Sequence, residues 1–243
     1  MIFSLKIIIY CIKRFFIRTY DENILVRGAC LTNDSLKILF PNIFIKNYQK
    51  SRVDVLNLKY SNCGYRPILF DVRFIDKNLY NLYIDQIPNF WEDVKKKNFL
   101  IIDSYSELTD QLFVNNINKN KIFNVNYTDV NKKCNLKYSC HGLINNNDVK
   151  KNYSVFFSNL RIVNKHIKII YIFFPIVYEL RQKFIDQHLI IYNAIHKMKN
   201  KHKISIINVP SKLLSFQRID DFPYHYNNEV YSYVANQIKL KLI

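Results

Sequence analysis

The chain has 243 residues, of which 49% are hydrophobic, and carries a formal charge of +17. That is enough apolar material for one sizeable core, and no Gly/Pro/Ser-rich linker divides it, so the reading is a basic amphipathic segment over 1–20 followed by a single domain over 21–243. Three glycines leave no material for a Gly-rich phosphate loop, which speaks against a nucleotide cofactor, and no other cofactor is expected.

The excess of Lys, Asn, Ile, Tyr and Phe is what an AT-rich genome supplies, so solvated lysines account for most of the charge. The runs Lys95-Lys96-Lys97 and Lys197 to Lys203 lack the interleaved aromatics of single-strand binders, which makes nucleic acid an unlikely partner. Five cysteines without a CxxC pair fit a reducing, cytoplasmic setting rather than a disulfide framework. Cys134, Cys140 and His141 lie close together but match no standard zinc spacing, and no metal is expected.

In chain order, Met1 to Ile17 is apolar but broken by Lys6, Lys13 and Arg14, so it falls short of a membrane span. On a helical wheel Leu5, Ile8, Ile9, Ile12, Phe15 and Phe16 oppose Lys6, Lys13, Arg14 and Arg18. That pattern suits a helix lying on an anionic membrane surface, and equally a helix packed on the domain. Asn23 to Val26 reads as a short strand ending near Gly28, and Ser35 to Phe40 as a helix capped by Thr32 or Asn33.

Ile43 to Ile45 suits a second strand, and Leu79 to Lys97 has helical spacing broken near Pro88. Phe99 to Asp103 is a buried strand. Ile167 to Phe174 and Ile204 to Val209 are further apolar runs, with a long helix over Tyr178 to Lys199 between them. Asn228 to Leu242 closes the chain as an amphipathic helix. Strands alternating with helices predict an α/β fold, a three-layer α/β/α sandwich with a mainly parallel sheet. In such sheets ligands gather outside the carboxyl ends of the strands. Cys30, Asp103 with Ser104, Ser106 and Glu107, and His225 all fall at such ends.

Two segments carry the chemistry. Gly28-Ala29-Cys30-Leu31-Thr32-Asn33-Asp34 follows the first strand, and Asp221-Phe222-Pro223-Tyr224-His225-Tyr226 precedes the last helix. A thiol at a strand end and a late histidine fit a nucleophile and its base. Gly28 to Asp34, Ile-Ile-Asp-Ser-Tyr-Ser-Glu-Leu-Thr-Asp at 101–110 and Pro-Tyr-His-Tyr-Asn-Asn-Glu at 223–229 resemble the blocks of an uncharacterised branch of the SGNH/GDSL-hydrolase-like proteins found with bacterial surface-polysaccharide genes. There the blocks read Gly-Ser-Cys-Val-Thr-Arg-Asp, Asp-x-x-Asp-Glu-Arg-x-Asp and Pro-Phe-His-Tyr.

The resemblance implies a flavodoxin-like sandwich and an esterase or acyltransferase acting on a glycan or another acylated small molecule of a capsule or lipopolysaccharide pathway. It implies Cys30 as nucleophile, His225 as base, and N–H groups near Cys30 and Ala29, with Gly28 giving the turn room, as an oxyanion site. Phe222 stands where the superfamily keeps its orienting Asp, which leaves Asp221 or Glu107 for that role. The superfamily's third-block Asn is absent, its place filled by Asp103, Ser106 and Glu107.

The following helix and His225 are expected to lower the thiol pKa of Cys30. A small buried space-filler is the plain alternative for Cys30, a stacked loop residue for His225, and a helix-start preference for Glu107 and Asp110. Arg52 resembles a family arginine able to clamp a carboxylate or phosphate, with surface exposure as the simpler account. Asp34 completes the set of crevice residues. His188 and His196, two turns apart on the long helix, read as surface residues. Two other classes stay open: a non-catalytic glycan-binding or assembly protein on the same scaffold, and a basic membrane- or nucleic-acid-binding protein.

Overall fold

The structure is a computed structural model that describes residues 20–49, 51–60, 90–119, 122–126, 137–214 and 222–243. The N-terminal amphipathic segment, the Leu79 to Pro88 part of one expected helix, Cys134 and Asp221 lie outside these residues.

Five parallel strands form the main sheet: β1 (Tyr20–Arg27), β2 (Phe44–Asn47), β3 (Phe99–Asp103), β7 (Lys168–Ile172) and β8 (Ile204–Ile207), in the order β2-β1-β3-β7-β8. Its central strands are covered on both faces. Ile24 to Val26, Leu100 to Ile102 and Ile169 to Ile172 are all buried, which is why their sequences are unbroken apolar runs. The chain runs from β1 outward to β2 and then returns to β3 on the other side. Right-handed crossovers therefore put helices on opposite faces before and after that reversal.

Helix α1 (Cys30–Leu39) and the last helix, α7 (Asn228–Leu242), pack together on one face. Helices α2 (Val53–Tyr60), α3 (Phe90–Lys95), α5 (Asn146–Val163) and α6 (Gln182–His202) form the other layer, in which α5 touches the other three. Phe90, Trp91 and Phe156 fill the α3–α5 seam with ring centroids 5.1–6.0 Å apart. The expected three-layer α/β/α architecture with a parallel sheet is present.

Helix α5, at 18 residues, and α2 were not anticipated from the periodicity. Nor was a second, antiparallel sheet of β4 (Gln111–Asn115), β5 (Ile122–Val125) and β6 (Tyr138–Gly142) in the order β5-β4-β6. It follows the short helix α4 (Tyr105–Thr109), and Phe113, Phe123 and Tyr138 form its aromatic core. Helix α6 starts at Gln182 rather than Tyr178, because 175–181 is held as a loop by contacts described below. No helix among the described residues is long and apolar enough to cross a membrane.

Candidate functional site

Strand order reverses between β1 and β3, and ligands of open α/β sheets bind outside the carboxyl ends of the strands at such a reversal. Gly28, Ala29 and Cys30 form the turn leaving β1, and Asp103 ends β3 beside them. Gly28 is required by close approach: a Cβ there would come within 2.5 Å of the Thr32 side chain. Asn47, at the end of β2, fixes the turn from outside by accepting from the Gly28 N–H (3.0 Å) and donating to its carbonyl (2.8 Å). Its role was not legible from the sequence, because the contact depends on β2 lying beside β1.

Helix α1 begins at Cys30, earlier than a Thr32 or Asn33 cap would place it. The reason is tertiary. The Asp103 carboxylate, from another strand, accepts from the Ala29 N–H (2.7 Å) and the Thr32 hydroxyl (2.6 Å) through one oxygen and from the Tyr105 N–H (3.1 Å) through the other. The Ala29 N–H, expected as an oxyanion donor, is thus already engaged. Burial raises the Asp103 carboxyl to about 6 against the pull of these hydrogen bonds.

Cys30 is half-buried at the start of α1, and its Sγ lies 3.6 Å from the Tyr224 carbonyl. The fold therefore brings the thiol to the loop that carries His225. Its electrostatics reverse the expectation. Burial, reinforced by the Asp103 charge, pushes the thiol up to about 12, although backbone N–H groups of Leu31 and Cys30 pull the other way. His225 is partly exposed and packs its ring on Phe222, 4.7 Å between centroids.

The other residues singled out from the sequence lie elsewhere. Glu107, expected to orient the imidazole, is buried in a network of its own. It pairs with Arg27 and accepts from the Val53 N–H (2.9 Å) and the Tyr153 hydroxyl (3.1 Å), which in turn meets Tyr171 (2.7 Å). Arg27 is completely enclosed and donates further to the Ser51 carbonyl (2.6 Å) and the Asp103 carbonyl (3.2 Å). Burial opposes its charge, but the Glu107 carboxylate holds Arg27 above its ordinary value. The clue in the sequence was a lone arginine closing the apolar run Ile24-Leu25-Val26.

Arg52 is buried rather than exposed. It clamps its own neighbour Asp54 (3.0 and 2.6 Å) and binds the carbonyls of Asp110 (3.1 Å) and Gly142 (2.9 Å), tying the small sheet to α2. Asp110 accepts from Asn124 (3.1 Å) in the same junction. The Ser106 hydroxyl donates to the Gln49 carbonyl (2.9 Å), and Asp34 pairs with Lys37 on the surface (2.7 Å). His188, read as a surface residue, is half-buried against Phe173, and desolvation lowers it to about 4.

An open cavity of about 290 Å³ lies on the far side of the Gly28 turn, between α1 and β2, lined by Asn33, Lys37, Phe40, Phe44, Asn47 and Gln49 among others. Among the described residues no cluster of three or more His, Cys, Asp or Glu side chains is arranged to hold a metal ion.

No protein-family model matches the chain, and no curated protein matches its sequence. Among solved structures it is similar to an acetyl xylan esterase from the rumen bacterium Butyrivibrio proteoclasticus. The identity is 12% and the TM-score 0.40, covering 93% of this chain and 65% of that one. The chain thus spans less than two thirds of that enzyme's length. A likeness of this degree says nothing of the chemistry of this chain.

Proposed function

We propose that the protein is an acyl esterase or acyltransferase of the SGNH-like kind, acting on an acylated glycan or its precursor. Cys30 is the nucleophile and His225 the base. The observation that carries this reading is the convergence of the β1 turn with the loop preceding α7: the thiol of Cys30 lies 3.6 Å from the carbonyl of Tyr224, the residue before His225. The block resemblance at 28–34, 101–110 and 223–229 supports it, and Asp221 is the candidate to orient His225.

In the reaction, Sγ of Cys30 attacks the ester carbonyl as its proton passes to His225. The alkoxide leaves with that proton, giving a thioester. Water, or a hydroxyl of an acceptor, then attacks the thioester with His225 again taking the proton, and the thiol is restored. Because the resting thiol sits at about 12, the proton transfer must accompany attack rather than precede it.

The test is turnover of a soluble acyl ester by the wild type, Cys30→Ala and His225→Ala. Both variants should be folded and inactive, and normal turnover by Cys30→Ala overturns the reading.

A second reading has its own observation. The raised thiol and the engagement of the Ala29 N–H by Asp103 both fit a crevice that binds without reacting. A glycan-binding or assembly protein of a capsule or lipopolysaccharide pathway would retain glycan binding in the Cys30→Ala/His225→Ala double variant and show no turnover in the wild type.

A further inference from the structure

His225 stands in a loop whose burial alternates around it. Tyr224 and Tyr226 are each 1% exposed, and the residue between them is partly exposed. Both tyrosines are anchored to one segment, the loop 173–181 that follows β7. The Tyr224 hydroxyl donates to Glu179 Oε2 (2.6 Å), and the Tyr226 hydroxyl donates to the Pro175 carbonyl (2.7 Å). That loop is fixed in turn at the head of α4, where the Phe174 N–H donates to the Ser104 hydroxyl (3.2 Å). Ser104 follows Asp103, whose carboxylate holds the Ala29 turn. The Cys30 turn and the His225 loop are thus both tied to the carboxyl end of β3.

Of the two anchors, Glu179 is the costlier. It is buried, and a loop that needed only to stay folded could be closed by an apolar contact without desolvating a carboxylate. Both of its oxygens are directed. Oε1 accepts from the Arg181 N–H (2.9 Å) and Nε (2.7 Å), and Oε2 accepts from Arg181 Nη2 (2.7 Å) and from the Tyr224 hydroxyl. The Arg181 guanidinium, itself over the Phe184 ring at 4.2 Å, therefore sets the orientation in which the carboxylate meets Tyr224. The Tyr224 ring also packs on Tyr105 (5.4 Å) and Phe174 (6.1 Å). Those rings would hold a phenylalanine as well, so the carboxylate is what requires the hydroxyl.

We propose that Glu179 is a positioning residue for His225, acting through Tyr224. The lever is short. Tyr224 donates from its hydroxyl to Glu179 and accepts from the Cys30 thiol at its carbonyl (3.6 Å), and His225 is the next residue. Glu179 thereby fixes the base against the nucleophile without touching substrate. The chemical purpose of this placement rests on the Cys30–His225 reading, whereas the placement itself does not.

The experiment compares the wild type, Tyr224→Phe, Glu179→Ala and the double variant on 4-nitrophenyl acetate, with amide hydrogen exchange on the same proteins. Because a small misplacement of reacting groups is costly, each single variant should lower kcat about tenfold or more, with KM within about twofold of the wild type. Both act through one bond, so the double variant should fall no further than the worse single one. Glu179→Gln, which keeps an acceptor of the same shape, should recover part of the loss and stands in if Glu179→Ala folds poorly. The His225 N–H donates to the Phe222 carbonyl (3.1 Å) and the Tyr226 N–H to the Tyr231 hydroxyl (3.3 Å). Exchange of these two amides should quicken at least about tenfold in Glu179→Ala, while the amides of β3 and β7 stay as they are.

The proposal is overturned if exchange at 225 and 226 is unchanged in Glu179→Ala, or if the losses of the two single variants multiply in the double one. It is equally overturned if kcat holds and only KM or the melting temperature moves. A wild type inactive on the ester, with faster exchange in Glu179→Ala, would instead overturn the Cys30–His225 chemistry and support the placement of the loop by Glu179.

Discussion

At the β1–β3 reversal and in the loop after β7, a buried carboxylate organises the local chain, Asp103 in the first and Glu179 in the second, and the two are tuned in opposite directions. Asp103 is bound only by neutral donors: two backbone N–H groups and the Thr32 hydroxyl. Desolvation outweighs them and the carboxyl rises to about 6. Glu179 is also opposed by burial, but a two-pronged guanidinium from Arg181 and the Tyr224 hydroxyl bring it down to about 2. At these two acids the difference is whether a cation reaches the carboxylate itself, whereas burial keeps the fully enclosed Glu107 raised even against its Arg27 partner. Arg27 does lie close to Asp103, but it donates to the main-chain carbonyl and gives its salt bridge to Glu107.

The comparison is broken most severely by cutting the Arg27–Glu107 pair beneath the reversal. Glu107→Ala leaves an enclosed guanidinium without its counter-ion, and a loss of about 3–5 kcal/mol is expected in denaturant unfolding. Gly28→Ala is next. The added methyl meets the Thr32 side chain that Asp103 holds, so about 1–3 kcal/mol should be lost, and Thr32→Ala should recover part of it. In the loop after β7, Tyr224→Phe removes one hydrogen bond to Glu179 and should cost about 1 kcal/mol.

The two acids also predict opposite pH slopes. Asp103 has a folded value above its ordinary 3.8, so the stability it contributes is full below that pH and is lost as pH rises through about 6. Glu179 has a folded value below its ordinary 4.5, so its contribution is full above that pH and is lost as pH falls toward 2. Melting temperatures of Asp103→Asn and Glu179→Gln across pH 2 to 7 should each flatten one of these slopes and leave the other. The smallest structural change with a sharp readout is the effect of Asp103→Asn on Cys30. Removing the neighbouring charge should move the onset of thiol alkylation to lower pH, and an unchanged onset would assign the raised thiol to desolvation alone.

The apolar runs at 23–26, 99–103, 167–174 and 204–209 marked four of the five main strands, because strands covered on both faces need no alternation. The last helix was legible to its ends, since Asn227 caps it with its own side chain, accepting from the Val230 N–H at 3.0 Å. The small sheet was not, because its strands are short and rest on Arg52 and Asn124, whose partners lie far off in the chain.

Of the site, sequence marked Gly28, Cys30 and His225 as a set, and the fold brings the Cys30 turn against the loop holding His225. It gave no means to separate Asp103, which holds the turn at Ala29 and Cys30, from Glu107, four residues on, which belongs to the core. That assignment follows from their places in the fold: Asp103 ends β3 against the Ala29 turn, while Glu107 on α4 reaches Arg27 and the Val53 N–H.

By itself the sequence determined the class of fold, because hydrophobic periodicity acts through neighbours a few residues apart. Tertiary structure alone decided the ionisation of the site. The charge on Cys30, Asp103 and Glu179 depends on desolvation and on donors brought from distant parts of the chain, and no local spacing encodes either.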